Sequence, residues 1–280
     1  MYCDLHTHSY FSDGSLSPAQ LIALGKELGL TLALTDHNTV SGLPEFMAEA
    51  ERQGVRAIPG IEFSTLCHGH ELHLVGLFIE PPHYDHLESV SRKFQQLKEE
   101  SNREMVHRLN AAGYAIDYTT ILKKNPNGNL NRAHIARALV EKGYVGSIQE
   151  AFDKLLDKNL PYFVPCERLQ LTDAIAMFRE RKIVSILAHP LKDLSEAELR
   201  AYLPELVEAG LMALETHHSS YDDATIALAT QIAEEFHLLP SGGSDFHGLA
   251  KPTTHLGTGK GNLQIPLAVL ENLEVARNRM

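Results

Sequence analysis

Residues 1–42 read MYCDLHTHSYFSDGSLSPAQLIALGKELGLTLALTDHNTVSG, and the fold is decided in this stretch. Residues 2–5 and 31–34 are short apolar runs of strand length. Residues 18–29 between them carry apolar positions at helical spacing, with Ser17 placed to cap the helix. Strand, helix and strand in this order predict parallel pairing through a right-handed crossover. Both strands end in residues that carry chemistry, His6-Thr7-His8 and Thr35-Asp36-His37-Asn38. The rhythm continues with a helix over 42–53 and strands over 55–63 and 71–79, the former ending in Gly60-Ile61-Glu62-Phe63 and the latter carrying His73.

From about Tyr84 to Pro161 the chain becomes charged and mostly helical, with Phe94, Leu97, Met105, Val106 and Leu109 near helical spacing and a loop at 125–129, NPNGN. The α/β alternation then resumes. Helix 172–181, strand 183–188 and helix 195–208 precede strand 212–215, helix 223–237, strand 238–240 and a last helix near 265–276. The expected organisation is an α/β barrel from residues 1–83 and 162–280, with 84–161 inserted as a helical cap over the substrate.

A chain of 280 residues, 44% of them hydrophobic, suffices for a barrel and an insertion. Its 25 basic and 36 acidic side chains leave a formal charge of −11. That balance disfavours binding to duplex DNA or an anionic membrane through bulk electrostatics. No apolar run approaches the ~18 residues of a membrane span, and residues 1–6 show no secretory pattern. Cys3, Cys67 and Cys166 are odd in number and far apart, which speaks against a disulfide framework and fits a reducing cytoplasm. The unusual count is 16 histidines, the commonest metal-ligating side chain.

Their placement follows the strands. His6 and His8 leave the same face of a strand, where two imidazoles can grip one cation. Asp245 and His247 repeat the spacing after the last strand, and His189-Pro190 follows strand 183–188. Glu62 and His73 lie inside apolar strands, where an unpaired polar group costs several kcal/mol. Each has a plainer reading when taken alone: HxH as coincidence, Asp13 as a turn residue, Asp245 as a helix cap, His189 as a strand end, and Glu62 with His73 as a buried pair. Five or six strand ends each delivering a His or a carboxylate is the pattern that chance rarely produces.

Together the motifs DLHTHS, FSDG, LTDHNT, GIEFS, ELHLVGLF, AHP and GSDFHG stand in the order of the polymerase-and-histidinol-phosphatase (PHP) superfamily, which the chain resembles over essentially its whole length. The resemblance implies a distorted (β/α)7 barrel holding two to three divalent ions at the strand ends, manganese first, with zinc or iron as alternatives. By motif, His6, His8, Glu62 and Asp245 would hold one ion. Glu62 would bridge to a second ion taking His73 and His189, and Asp13, His37 and His247 would hold a third. Such N/O ligands suit these metals. Three divalent ions against Asp13, Glu62 and Asp245 would make the pocket locally positive although the protein is acidic.

Arg132 and His134 open a helix of the insertion as Arg-x-His, a pattern that resembles the phosphate-binding motif of the nucleotide-cleaving branch. The plainer readings are a surface Arg132 and a helix-start His134. His218, after strand 212–215, is similar to a substrate-side residue of that branch, with a buried structural role as its alternative. His68, His70, His83, His86, His107, His237 and His255 match no ligand motif. The implied function is a metal-dependent phosphoesterase using a metal-bridging hydroxide on a small phosphorylated substrate. The implied substrate is the 3′-phosphate of nucleoside 3′,5′-bisphosphates or the 5′ end of short RNA. Alternatives are a cyclic-phosphate phosphodiesterase, a histidinol-phosphatase-like enzyme and a non-catalytic phosphate sensor.

Overall fold

A computed structural model describes residues 1–124 and 130–280, so the expected loop at 125–129 lies outside the described residues. Among the described residues seven strands form one sheet in chain order: β1 (Tyr2–Asp4), β2 (Leu30–Leu34), β3 (Ala57–Cys67), β4 (His70–Leu77), β5 (Val184–Ala188), β6 (Ala213–His218) and β7 (Leu239–Gly243). The sheet curls into a nearly closed, distorted barrel. Helices α1 (Pro18–Leu28) and α2 (Leu43–Gln53) follow the first two strands. Then come α3 (Tyr84–Ala111), α4 (Tyr118–Lys123), α5 (Arg132–Glu141), α6 (Ile148–Ala151), α7 (Leu171–Glu180), α8 (Pro190–Asp193), α9 (Glu196–Ala209), α10 (Asp223–Glu235) and α11 (Leu267–Arg277). Ser17 caps α1 in a reciprocal capping box with Gln20, as its position predicts.

The chain divides into two compact units, Met1–Ser91 with Leu169–Met280, and Arg92–Arg168, the division falling inside α3. The first unit has a core of Leu5 and strand residues such as Ala33, Val75, Ile186 and Ala213. The second has its own core, including Met105, Leu109, Ile135, Leu139 and Leu156. No helix among the described residues is long and apolar enough to cross a membrane.

Parallel pairing holds for β1–β2–β3 and β5–β6–β7, but β4 runs antiparallel to both neighbours. The expectation of uniform parallel crossovers is therefore corrected. Cys67 pairs with His70, leaving only His68 and Gly69 to turn the chain, at φ 48° and 87°. Two residues with positive φ make a hairpin turn, whereas a parallel crossover needs a dozen or more residues. Strand β6 also runs further than expected, so His217 and His218 lie on the strand rather than after it.

Closure between β7 and β1 is irregular. At one end the Leu5 N–H donates to the Gly242 carbonyl, the Asp245 N–H to His6 and the His8 N–H to Phe246. At the other end the Cys3 N–H bonds instead to Ile265, a residue between β7 and α11. The barrel is thus sealed directly at the end that carries His6, His8 and Asp245. A Cβ added at Gly243 would stand 2.2 Å from the His6 Cβ and 2.5 Å from its backbone nitrogen. We therefore expect Gly243→Ala to force β1 and β7 apart, costing about 1–3 kcal/mol as overpacking does. Urea denaturation of the variant checks this, and a midpoint equal to wild type would contradict the close contact.

Candidate metal centre

The centre is built around Glu62, the sixth residue of β3 and fully buried. Its two oxygens face five imidazoles. Oε2 lies 2.9 Å from His37 Nδ1, 3.2 Å from His6 Nε2 and 3.3 Å from His8 Nε2. Oε1 lies 2.9 Å from His73 Nδ1 and 3.2 Å from His189 Nε2. The antiparallel hairpin explains His73. Ser64 pairs with His73, so the imidazole stands diagonally from Glu62 on one face of the sheet. Strand β5 then places Ala188 opposite His73, which brings the next residue, His189, to the same point.

The other carboxylates lie at the edges of this cluster. Asp245 Oδ1 is 3.3 Å from His8 Nε2, and Asp13 Oδ1 is 3.0 Å from His247 Nε2. Asp13 lies on a loop clamped by buried Asp36, which accepts from the Ser9 N–H, the Ser9 hydroxyl and the Ser12 hydroxyl. Four groups could each hold an ion: His8, Asp13, His37 and His247; His6, His8 and Asp245; His37, Glu62 and His73; and His6, His189 and Glu215. All nine residues singled out by motif fall in these groups. The partition differs from the motif reading, since His8 also stands with Asp13, and His37 also with Glu62.

Buried atoms without hydrogen-bond partners test whether metal ions fit here. His6 Nε2, both nitrogens of His8, His37 Nδ1, Glu62 Oε2 and His247 Nε2 are buried and unpartnered although carboxylate oxygens lie within 3.9 Å of them. The distances suit ion pairs, but the directions do not suit hydrogen bonds. Native interiors rarely leave so many polar atoms unmatched, and shared cations are what these lone pairs can all accept. The donor set is imidazole and carboxylate, which suits divalent transition metals. The residues fit the ions.

Burial is the largest single influence on Glu62 and would raise its pKa, yet His37, His6 and His73 together hold it well below the carboxylate range. Asp245 is likewise held well below its usual value against burial, chiefly by His218 and His8. His8 is pushed down to about 3 by burial and by His37. For His189, burial pulls downward, but Asp193 and Glu62 outweigh it and raise the pKa to about 9. His6 is raised well above its usual value because Glu62 and Glu215 together outweigh burial.

Glu215 is a residue of this centre that the sequence reading missed. It is buried, its Oε1 accepts from His6 Nδ1 at 3.0 Å, and its Oε2 accepts from the His189 N–H at 2.7 Å. One oxygen orients the His6 ring and the other holds the His189 backbone, and His6 is left with Nε2 free for an ion. A charge directly after the apolar run Leu211–Leu214 is a signal similar to the one that marked Glu62. A register shift between Glu215 and His217 lets Glu215 and His218 both turn inward. His218 Nδ1 accepts from the Ser220 N–H, so the neutral ring carries its proton on Nε2, 3.4 Å from Asp245 Oδ2.

The helical unit holds the two remaining motif residues. Arg132 is the first residue of α5; its guanidinium lies 5.5 Å from the Phe152 ring and 5.2 Å from the Phe163 ring, and Nη1 donates to the Leu156 carbonyl. His134 Nδ1 accepts from the Asn131 N–H in a capping box. It lines a cavity of about 250 Å³ with Lys124, Arg137 and Lys142.

The PHP domain family matches residues 4–166. The chain belongs to the PHP domain family. Three relatives resemble this PHP chain over most of their length. The 3′,5′-nucleoside bisphosphate phosphatase of Chromobacterium violaceum is 32% identical over 87% of this chain and 86% of its own. The 5′-3′ exoribonuclease Rnm of Salmonella typhimurium is 31% identical over 87% and 84%. The phosphoribosyl 1,2-cyclic phosphate 1,2-diphosphodiesterase of Eggerthella lenta is 30% identical over 91% and 97%. A solved structure from Bifidobacterium adolescentis, assigned as a metal-dependent phosphoesterase, superposes with a TM-score of 0.70 at 26% identity, over 98% of this chain and 96% of that one.

Three outcomes follow from the centre. Metal-free His6 and His189 gain protons at neutral pH, so they stabilise the metal-free fold below the ordinary histidine value of 6.5, and this is lost as pH rises through about 9. Thermal unfolding of chelator-treated protein should therefore fall between those values. Manganese uptake at neutral pH should also release protons, seen calorimetrically as a buffer-dependent heat; a buffer-independent heat would contradict the assignment. Glu62→Gln should abolish more manganese binding than His6→Ala, because one carboxylate faces five ligands and one imidazole does not. Equal losses by elemental analysis would argue against the bridge.

Proposed function

We propose that this PHP-family phosphoric ester hydrolase removes the 3′-phosphate of nucleoside 3′,5′-bisphosphates, and that short 5′-phosphorylated RNA is its second substrate class. The reading is carried by the buried Glu62 carboxylate shared among five imidazoles. Its substrate class is supported by similarity over 87% of the chain to a bisphosphate phosphatase and an exoribonuclease. His6, His8, Asp13, His37, Glu62, His73, His189, Asp245 and His247 are the proposed ligands of two to three divalent ions, manganese first. Bound there, such ions lower the pKa of water and neutralise phosphoryl charge.

The chain's own residues supply the rest. Glu62, held ionised by its imidazoles, presents an oxygen to each side of the centre. Glu215 fixes the ring of His6 and the backbone of His189, which keeps the His6 Nε2 aimed inward. His218 holds a proton on Nε2 at the edge of the centre, positioned beside Asp245 Oδ2, and is the proposed donor to the leaving oxygen. His8, His247 and Glu62 are almost fully buried, so bulk water is kept from one side of the reacting group. Arg132 and His134 are the proposed phosphate-binding residues of the helical unit. Arg132 spends one N–H on Leu156, and the Phe152 and Phe163 rings set the plane of its fork.

Phosphate release with manganese, measured over a nucleoside 3′,5′-bisphosphate, a 5′-phosphorylated trinucleotide and a 1,2-cyclic ribose phosphate, tests the reading. The bisphosphate should turn over fastest, and preference for the cyclic ester would move the chain to the phosphodiesterase class. Arg132→Ala should lower kcat/KM about 10–100-fold for the bisphosphate, as loss of a charge-assisted contact does. p-Nitrophenyl phosphate, which lacks a second phosphate, should suffer much less, with manganese content unchanged. Equal losses on both substrates would remove the case for a second phosphate at Arg132.

A further inference from the structure

Asp245 uses its two oxygens differently. Oδ1 points among the histidines, 3.3 Å from His8 Nε2 and 3.4 Å from His247 Nδ1. Oδ2 points the other way, 3.4 Å from His218 Nε2 and 2.7 Å from Lys251 Nζ. No motif reading singled out Lys251. It follows a short 3-10 turn, Gly248–Ala250, and its backbone is tied at both ends, its N–H donating to Gly248 and its carbonyl accepting from Thr254. The side chain is 41% exposed while Asp245 is 7% exposed, so the ammonium stands where the buried centre meets solvent.

An ammonium has three N–H donors, and Asp245 Oδ2 takes one of them. We propose that Lys251 is a further substrate-contacting residue: it saturates the outer oxygen of Asp245 and offers its remaining donors to the non-bridging oxygens of the phosphoryl group. The proposal rests on the metal-centre reading above. His218, the other neighbour of Oδ2, has a single N–H to give there, whereas Lys251 brings a permanent charge and spare donors to the solvent edge. The four-carbon stem lets the ammonium follow a phosphoryl group without moving the loop that carries Asp245. Only the lysine end of this pair is exposed, and Asp245 keeps His8, His218 and His247 as neighbours, so removing the ammonium should leave folding intact and show itself in anion binding.

The test uses the full chain loaded with manganese, inorganic phosphate as the probe, and Lys251→Met with Lys251→Arg as the charge-retaining control. Calorimetry should show phosphate binding weakened about tenfold or more in Lys251→Met. The competitive inhibition constant of phosphate against p-nitrophenyl phosphate should shift in parallel, and Lys251→Arg should recover most of the loss. Manganese stoichiometry and the melting temperature should match wild type in both variants. Unchanged phosphate affinity in Lys251→Met overturns the proposal, as does loss of manganese, which would make Lys251 an orienter of Asp245 only. Wild-type protein that binds no manganese would instead overturn the metal-centre reading, a separate result.

Discussion

A carboxylate with no solvent exposure, surrounded by five imidazoles, is the constraint on which the rest of this molecule depends. Burying Glu62 alone would be costly, because a charge taken out of water must be paired. The pairing groups come from β1, β2, β4 and β5 or the loops that follow them, so five segments distant in sequence must meet at one point. The barrel's local irregularities all serve that meeting. The left-handed conformations of His189, at φ 32°, and Asp245, at φ 55°, turn two side chains inward at strand ends. Such non-glycine conformations are sparsely populated and persist where the surroundings enforce them.

The antiparallel β4 has a similar meaning. In a barrel of parallel strands the useful side chains gather at the carboxyl ends. His73 instead enters from the amino-terminal half of its strand, because the chain reverses through a two-residue turn and arrives at the same mouth from the other direction. The shift in β6 works on a finer scale, turning His218 rather than His217 toward the centre while leaving Glu215 there. Around these candidate ligands, Glu215, Asp193, Asp36 and Asp4 hold rings and loops in place, and Glu215 also stands with His6 and His189 in a group that could take an ion. Second partners of this kind fix which imidazole nitrogen is free, and so decide whether a histidine can ligate or donate. The tautomer inferred for His218 follows from a single backbone N–H at Ser220.

Much of this was legible in the sequence because the signals are local. Alternating apolar runs and helical repeats predicted all seven strands to within four residues at either end, and Ser17 caps the first helix as its position predicts. His6, His8, Glu62 and Asp245 stood out because imidazoles and charges at strand ends or inside apolar runs are costly without partners. Manganese, zinc and iron were left open by the same chemistry, since all accept nitrogen and oxygen donors. Arg132 was legible as the head of a helix, but its packing between Phe152 and Phe163 was not, because those rings lie twenty and more residues away.

The sequence by itself determined the α/β class, the barrel's ordered motifs and the identity of nine polar residues in need of partners, because period, burial cost and ligand chemistry are properties of short segments. Only the tertiary structure decided which atoms face each other. The direction of β4 depends on φ at His68 and Gly69, the inward turn of His218 depends on a register shift, and the role of Glu215 depends on the His6 imidazole and the His189 backbone N–H, 209 and 26 residues distant. Lys251 belongs to the same class. As a residue it is an ordinary exposed lysine, and only the placement of its ammonium 2.7 Å from one oxygen of Asp245 connects it to the centre. Contacts of that kind are set by how separate strands close on one another, which no local pattern encodes.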